Sequence, residues 1–186
     1  MLNDRSTPAA FLATRRSGKP RDLGAPGPSA DELDAMIAVA ARTPDHGKIA
    51  PWRFVVVEDR DRLAALLTGA FRAERPDTGD LAAIDQFARQ APALVVVLSS
   101  PDPDHPVPVW EQELSAGAAC MNLLHAANAA GYAGGWLTGW AAYSPIVRDA
   151  FGRAPERIAG FVFIGTPSRP LDERPRPALE RIVSRW

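Results

Sequence analysis

Ser115–Gly139 reads SAGAACMNLLHAANAAGYAGGWLTG. Its first half is built from small residues, which lets a helix approach its neighbours closely. Asn122, His125 and Asn128 interrupt the apolar run, so Ala116–Ala130 is too polar to span a membrane and reads as a buried helix. Together with residues upstream, the pattern predicts one long helix from Glu111 to Ala130, with Gly131 as its C-terminal cap. Tyr132–Thr138 follows as a short strand rich in glycine. A long helix leading into a glycine strand requires other strands to pair with it, and the flanking sequence supplies them.

Upstream, Ala93–Ser99 (ALVVVLSS begins here) is continuously apolar, the pattern of a strand covered on both faces. Trp52–Glu58 (WRFVVVE) is rich in β-branched residues and also reads as a strand. Between them, apolar residues at three- and four-residue intervals predict helices over Asp61–Ala73 and Leu81–Gln90. Pro101–Pro108 (PDPDHPVP) reads as an extended loop. Further upstream, Ser29 and Glu32 form a capping box for a helix carrying Leu33, Met36, Ile37 and Ala40, stopped by Pro44. Ser6 and Pro8 open a first helix through Arg16. Downstream, Ser144-Pro145 starts a helix that stops at Gly152, Ile158–Ile164 is a strand, and a proline- and arginine-rich tail begins at Pro167. The order, αα-β-αα-β-α-β-α-β, indicates a single α+β or three-layer domain over residues 1–186, built around one sheet.

Composition narrows the function. The chain has 186 residues, a net charge of −1 and 46% hydrophobic residues, ordinary values for a globular domain. Near-neutral charge argues against nucleic acid or an anionic membrane as partner. A single cysteine, Cys120, cannot form an internal disulfide and reads as inert packing. No segment reads as a signal peptide or a membrane span, so the expected location is cytoplasmic.

Several signatures are missing. There is no GxxxxGK[ST] loop, no CxxC pair and no GxGxxG turn. Asp102, Asp104 and His105 sit in a proline-rich loop and read as solvated charges, so no metal is expected. Four features remain. Arg15-Arg16-Ser17, with Lys19, offers a fork of donors for a phosphate or a polar ring edge, or a plain basic surface. Arg42-Thr43-Pro44-Asp45-His46 places ionisable groups at a helix stop, where a histidine is often structural. Gly131–Trp136 leaves backbone open to a flat ligand, or is simply a tight turn. Arg174-Pro175-Arg176-Pro177 reads alone as a charge run.

Set in order, these pieces resemble the nitroreductase family. Arg15, Arg16 and Ser17 match an RRS-type helix end. AARTPDHGKIAPWRFVVVE (Ala40–Glu58) matches a capped helix, a corner and a PW strand. Ser115–Gly139 matches the small-residue helix and glycine strand. Gly165-Thr166-Pro167 and Arg176–Glu180 match the closing strand and tail. The PDH corner at Pro44–His46, with VPVWEQELSAG at Val107–Gly117, is similar to the YdjA-like branch.

That resemblance implies a three-layer α/β/α sandwich with a mainly antiparallel sheet, an intertwined homodimer whose C-terminal arm, about residues 167–186, reaches the partner subunit, and two FMN sites at the interface. It implies an FMN-dependent oxidoreductase that takes a hydride from NADH or NADPH and passes it by a ping-pong mechanism to a nitroaromatic, quinone or similar small-molecule acceptor. Arg15, Arg16 and Ser17 would hold FMN, with Lys19 or one of the arginines at the flavin edge that gains negative charge. His46 would contact FMN, and Arg42 would reach the partner's FMN. Trp136, Leu137 and Thr138 would line the flavin, and Arg176 would pair with its phosphate. Ala126, Ala127, Asn128, Ala129, Ala130 and Gly131 match the nicotinamide stretch. No protein side chain is expected to act as nucleophile, because FMN carries the chemistry. Lys48 and Ala50 replace the Asn and Gln of many relatives, and Leu137 replaces an arginine frequent in the branch. The competing expectation is an FMN-binding carrier or sensor with little turnover.

Overall fold

The computed structural model describes residues 1–75 and 80–186. Its helices are α1 (Pro8–Thr14), α2 (Ala30–Ala40), α3 (Arg60–Glu74), α4 (Leu81–Arg89), α5 (Val109–Ala129), α6 (Trp140–Tyr143) and α7 (Pro145–Phe151). The strands are β1 (Leu23–Gly24), β2 (Trp52–Val56), β3 (Ala93–Ser99), β4 (Ala133–Leu137) and β5 (Arg157–Pro167). All pairings are antiparallel. β5 is central, with β3 and β4 along its length and β1 at its C-terminal end, and β2 pairs with the far side of β3.

Alternation along β3 and β5 builds the three layers. Leu94, Val96, Leu98, Phe161 and Phe163 face one way and bury Leu63 and Leu67 of α3, Ala88 of α4 and Val147 of α7. Val95, Val97, Val162 and Ile164 face the other way, against Leu33 and Met36 of α2 and Cys120, Leu123 and Ala127 of α5. The sheet is thus covered on both sides, as the unbroken apolar run of β3 requires. Cys120 lies wholly inside, where burial pushes its thiol up to about 12, so it is a packing residue and not a nucleophile.

Local signals set the ends of the elements. The capping box of α2 forms as expected, Glu32 N–H donating to Ser29 Oγ and Ser29 N–H to the Glu32 carboxylate. At the end of α5, Gly131 adopts φ +98°. Tyr132 N–H then reaches Ala127 O and Gly131 N–H reaches Asn128 O, both at 3.0 Å, a Schellman termination that only glycine makes without strain.

Three boundaries differ from the sequence reading. The first helix stops at Thr14, so Arg15 and Arg16 lie in the extended segment beyond it. The long helix begins at Val109, with Pro108 as its N-terminal neighbour. β1 and α6 were not expected, since a two-residue strand and a four-residue helix carry too few residues for a periodic pattern.

An ion pair locks the entry to β5. Arg53 of β2 donates to both carboxylate oxygens of Glu156, at 2.6 and 3.1 Å, and Ser100 Oγ and Arg153 N–H donate to the same group at 2.9 and 3.0 Å. The Arg53 contact, with these further donors, holds the Glu156 carboxyl down at about 2. Its pKa falls below the ordinary value on folding, so the stabilisation is complete above pH 4.5 and is lost as pH falls towards 2. Glu156→Gln is expected to cost on the order of 3 kcal/mol at neutral pH, an upper figure because the pair is partly solvated. Denaturant melts from pH 7 to 2 should show the two proteins converging in acid; parallel curves would deny Glu156 this role.

Candidate functional site

Three of the sequence-identified groups come together at the exit of α1. Phe11 of α1 packs edge-on against His125 of α5, ring centroids 5.6 Å apart. This seats the helix so that its end runs over β4. Gly18 N–H donates to Gly134 O at 3.0 Å, making the Ser17–Lys19 segment an extra backbone partner of the strand. The glycines of β4 permit this approach. A Cβ on Gly135 would lie 2.6 Å from the Gly18 carbonyl oxygen, and one on Gly134 would lie 2.6 Å from Leu124 of α5. The open backbone inferred from the sequence is therefore filled by the chain itself, with α5 on one face of β4 and the Arg-Ser-Gly-Lys-Pro segment on the other.

Held this way, Arg15 and Arg16 meet the C-terminal tail. Arg16 Nε donates to Asp172 O at 2.7 Å, and Lys19 Nζ lies 3.8 Å from the Asp172 carboxylate. Arg176 lies 3.2 Å from the Glu173 carboxylate. Arg15 donates to Ser17 Oγ at 3.2 Å. Burial, then the neighbouring charges of Arg176 and Arg16, lower the Arg15 pKa, so three guanidinium groups share one region. Burial and the charge of Arg15 similarly lower His125. Glu173 is lowered by a hydrogen bond from Arg174 N–H, with Arg176 and Arg16 adding to it. Arginines gathered in this way suit a dianion such as a phosphate monoester, and the donor set has the planar forks that bind one bidentately.

Three residues absent from the sequence reading support this cluster. Asn3 clamps the Arg16 backbone, accepting from its N–H at 2.6 Å and donating to its carbonyl at 3.1 Å. Nothing in the sequence marks an asparagine thirteen positions away for that task. Asp172 and Glu173 are the other addition, hidden in a tail that reads as solvated charge.

Beyond its glycines, β4 ends at Trp136 and Leu137. Trp136 is exposed, and its Nε1 donates to Ala159 O at 3.0 Å. The ring lies flat over Gly160, where a Cβ would stand 1.9 Å from Nε1. Leu137 packs partly into the core beneath α3, and Thr138 is exposed. In the Ala126–Gly131 stretch, Ala126, Ala127 and Asn128 are buried by the chain's own packing. Ala129, Ala130 and Gly131 present the larger surface.

Arg42 and His46 lie elsewhere. They occupy the corner after α2, both exposed, and the corner runs along α5, with Thr43 bonded to Asn122 and His46 to Glu111. Arg15 is near His125. Glu111 and His125 are fourteen residues apart on one helix, or roughly 21 Å. One chain therefore does not bring His46 to the arginine cluster. In the proline-rich loop, Asp102 accepts from Asp104 N–H and His105 from Val107 N–H, at 3.0 and 3.1 Å. Among the described residues, no three His, Cys, Asp or Glu side chains are grouped to hold a metal.

This fold and this arrangement correspond to a known family. The nitroreductase family model matches residues 12–166, and the chain belongs to that family. YdjA of Escherichia coli (strain K12), named as a candidate NAD(P)H nitroreductase, is 39% identical over 164 residues, covering 84% of this chain and 86% of YdjA. Among solved structures, a nitroreductase-like family protein from Bacillus cereus superposes with a TM-score of 0.81 at 22% identity, covering 97% of this chain and 96% of the other. A candidate nitroreductase from Desulfovibrio desulfuricans, solved in complex with FMN, superposes with a TM-score of 0.74 at 20% identity, covering 97% and 98%.

The seating of the arginine segment on β4 makes a direct prediction. Gly135→Ala should push the Gly18 carbonyl away and destabilise the fold by about 1–3 kcal/mol, the usual cost of overpacking. Gly139→Ala is its control for lost glycine, because no atom lies within 4 Å of that Cβ although φ is +77°. Urea melts of both variants measure the packing and the backbone-strain losses separately, and an unchanged stability of Gly135→Ala would mean that the close approach to Gly18 costs nothing.

Proposed function

We propose that this chain is an FMN-dependent oxidoreductase that takes a hydride from NADH or NADPH and delivers it, in a second and separate binding event, to a nitroaromatic, quinone or similar acceptor. The observation that carries this reading is the convergence of Arg15, Arg16 and Arg176, from the α1 exit and the tail, where the Gly18 segment lies on β4. Family membership supports it. When bound, FMN supplies the hydride relay between the two substrates.

The residues divide the remaining work. Arg15, Arg16 and Arg176 hold the phosphate, each guanidinium offering paired donors. Ser17 keeps Arg15 in place through its hydroxyl, and Lys19 adds positive charge near the same edge. Trp136, Leu137 and Thr138 offer β4 backbone along one side of the ring system, with the Trp136 indole fixed by its bond to Ala159. Ala129, Ala130 and Gly131 form the surface proposed for the nicotinamide substrate, with buried Ala126, Ala127 and Asn128 beneath. His46 contacts FMN and Arg42 reaches toward it, in each case across a subunit boundary. For His46, the roughly 21 Å of helix between Glu111 and His125 supports this, since a second copy supplies what one chain keeps apart.

The working unit is therefore proposed to be a homodimer with a shared pair of sites. Exposed Trp110 and Leu114 on α5, and Leu179, Ile182 and Trp186 in the tail, supply the apolar surface that such a contact needs. The arm after Pro167 then lies against the partner. No helix among the described residues is long and apolar enough to cross a membrane. A cytoplasmic location fits this together with the lone cysteine.

A visible spectrum of the purified protein tests the reading first. Flavin bands that bleach on anaerobic NADPH or NADH, and return when an acceptor is added, are the expected result. Bands that persist would identify a carrier or sensor, and no bands after reconstitution with FMN would reject the site. Arg176→Ala should weaken FMN binding by about 1.5–3 kcal/mol, the worth of a hydrogen bond to a charged group. Unchanged affinity in a fluorescence-quenching titration would remove Arg176 from the phosphate site. Mixing Arg42→Ala subunits with Arg15→Ala subunits should restore one intact site per mixed dimer; absence of recovery would place Arg42 outside the shared site.

A further inference from the structure

The corner at Arg42–Ala50 is hydrogen-bonded to α5 and packs at Gly47 against His105 and Val107 of the proline-rich loop. Asn122 Nδ2 donates to Thr43 Oγ1 at 2.6 Å, Ser115 Oγ donates to Pro44 O at 3.3 Å, and Glu111 Oε2 meets His46 Nδ1 at 2.9 Å. The backbone beyond is tightly wound. Gly47, Lys48 and Ala50 all have positive φ, at +85°, +59° and +51°, and Asp45 accepts from Ala50 N–H at 2.9 Å. The turn therefore cannot slide along the helix, and the imidazole has one fixed anchor. His46 and Glu111 are 65 residues apart, in the two motifs, Pro44–His46 and Val107–Gly117, that the chain's resemblance to the YdjA-like branch rests on.

We propose that Glu111 is a positioning residue for His46. A carboxylate can only accept, so the hydrogen between Glu111 and the ring sits on Nδ1. With Nδ1–H committed to the carboxylate, the neutral ring carries its lone pair on Nε2. That nitrogen is the one left facing outward, since the His46 side chain is 69% exposed. Glu111 thus selects which tautomer His46 presents, in the way an outer carboxylate fixes a metal-ligating histidine. The group best suited to such a nitrogen is an N–H donor on a polar ring edge. This consequence rests on the reading that His46 meets FMN; the hold of Glu111 on the ring does not.

The test has one arm for each. In the FMN-free protein, long-range ¹⁵N–¹H correlation of the histidine rings at high pH should find His46 as the Nδ1–H tautomer. Glu111→Ala should move it to the Nε2–H form that a free histidine side chain favours, and Glu111→Gln, whose amide oxygen still accepts, should leave it unchanged. In the second arm, His46→Ala should weaken FMN binding by about three- to tenfold, the range of an ordinary hydrogen bond. Glu111→Ala should cause a similar loss, Glu111→Gln little, and the double variant no more than His46→Ala alone. An Nε2–H tautomer in the wild type, or full additivity of the two losses, would overturn the role of Glu111. A normal FMN affinity in His46→Ala, with the tautomer as expected, would instead overturn the placing of His46 at FMN.

Discussion

Everything near the candidate site depends on one constraint, the absence of side chains at two successive positions of β4. Gly134 and Gly135 face opposite sides of the sheet. One admits Leu124 of α5 and the other admits the Gly18 carbonyl. Any β-carbon there would lift either the long helix or the arginine segment off the strand. The small residues along α5 serve the same end, since Ala116, Ala119 and Ala127 are wholly buried and let the helix lie close to the sheet. Close packing of this kind fixes positions to fractions of an ångström, because a filled interior has few alternative arrangements.

From this contact the rest follows in order. α5 spans the molecule and gives each end a separate task. Near its C-terminus it orders α1 through the Phe11–His125 packing, which sends Arg15 and Arg16 toward the tail. Toward its N-terminus it anchors the corner after α2, from Thr43 at Asn122 to His46 at Glu111. The fold sets these positions before any ligand arrives.

Much of this was legible in the sequence, for physical reasons that can be named. The apolar run at Ala93–Ser99 and the box at Ser29–Glu32 are periodic or local signals, and both elements form where the residues direct. Gly131 ends α5 because only glycine takes that turn freely. The arginine segment and the PDH corner were also readable, through the order of motifs along the chain. Contacts between distant residues were not. Asn3 on Arg16, Asn122 on Thr43 and Gln112, which bridges the proline loop at Asp102 and Val107, are single polar side chains with no local pattern. The glycine strand was legible as open backbone, but not who fills it, because that depends on where α1 ends.

The acidic residues of the tail give the arginine cluster a built-in set of counter-ions. The Asp172 carboxylate lies near Lys19 and the Glu173 carboxylate near Arg176 and Arg16, while Arg16 itself bonds the Asp172 backbone carbonyl. Any phosphate that enters therefore exchanges with carboxylates already present and does not meet bare charge. Exchange of one anion for another releases fewer small ions from solution than capture by naked cations. The affinity of such a site then varies less with ionic strength than its number of arginines suggests, and the chain can carry them without attracting every polyanion it meets.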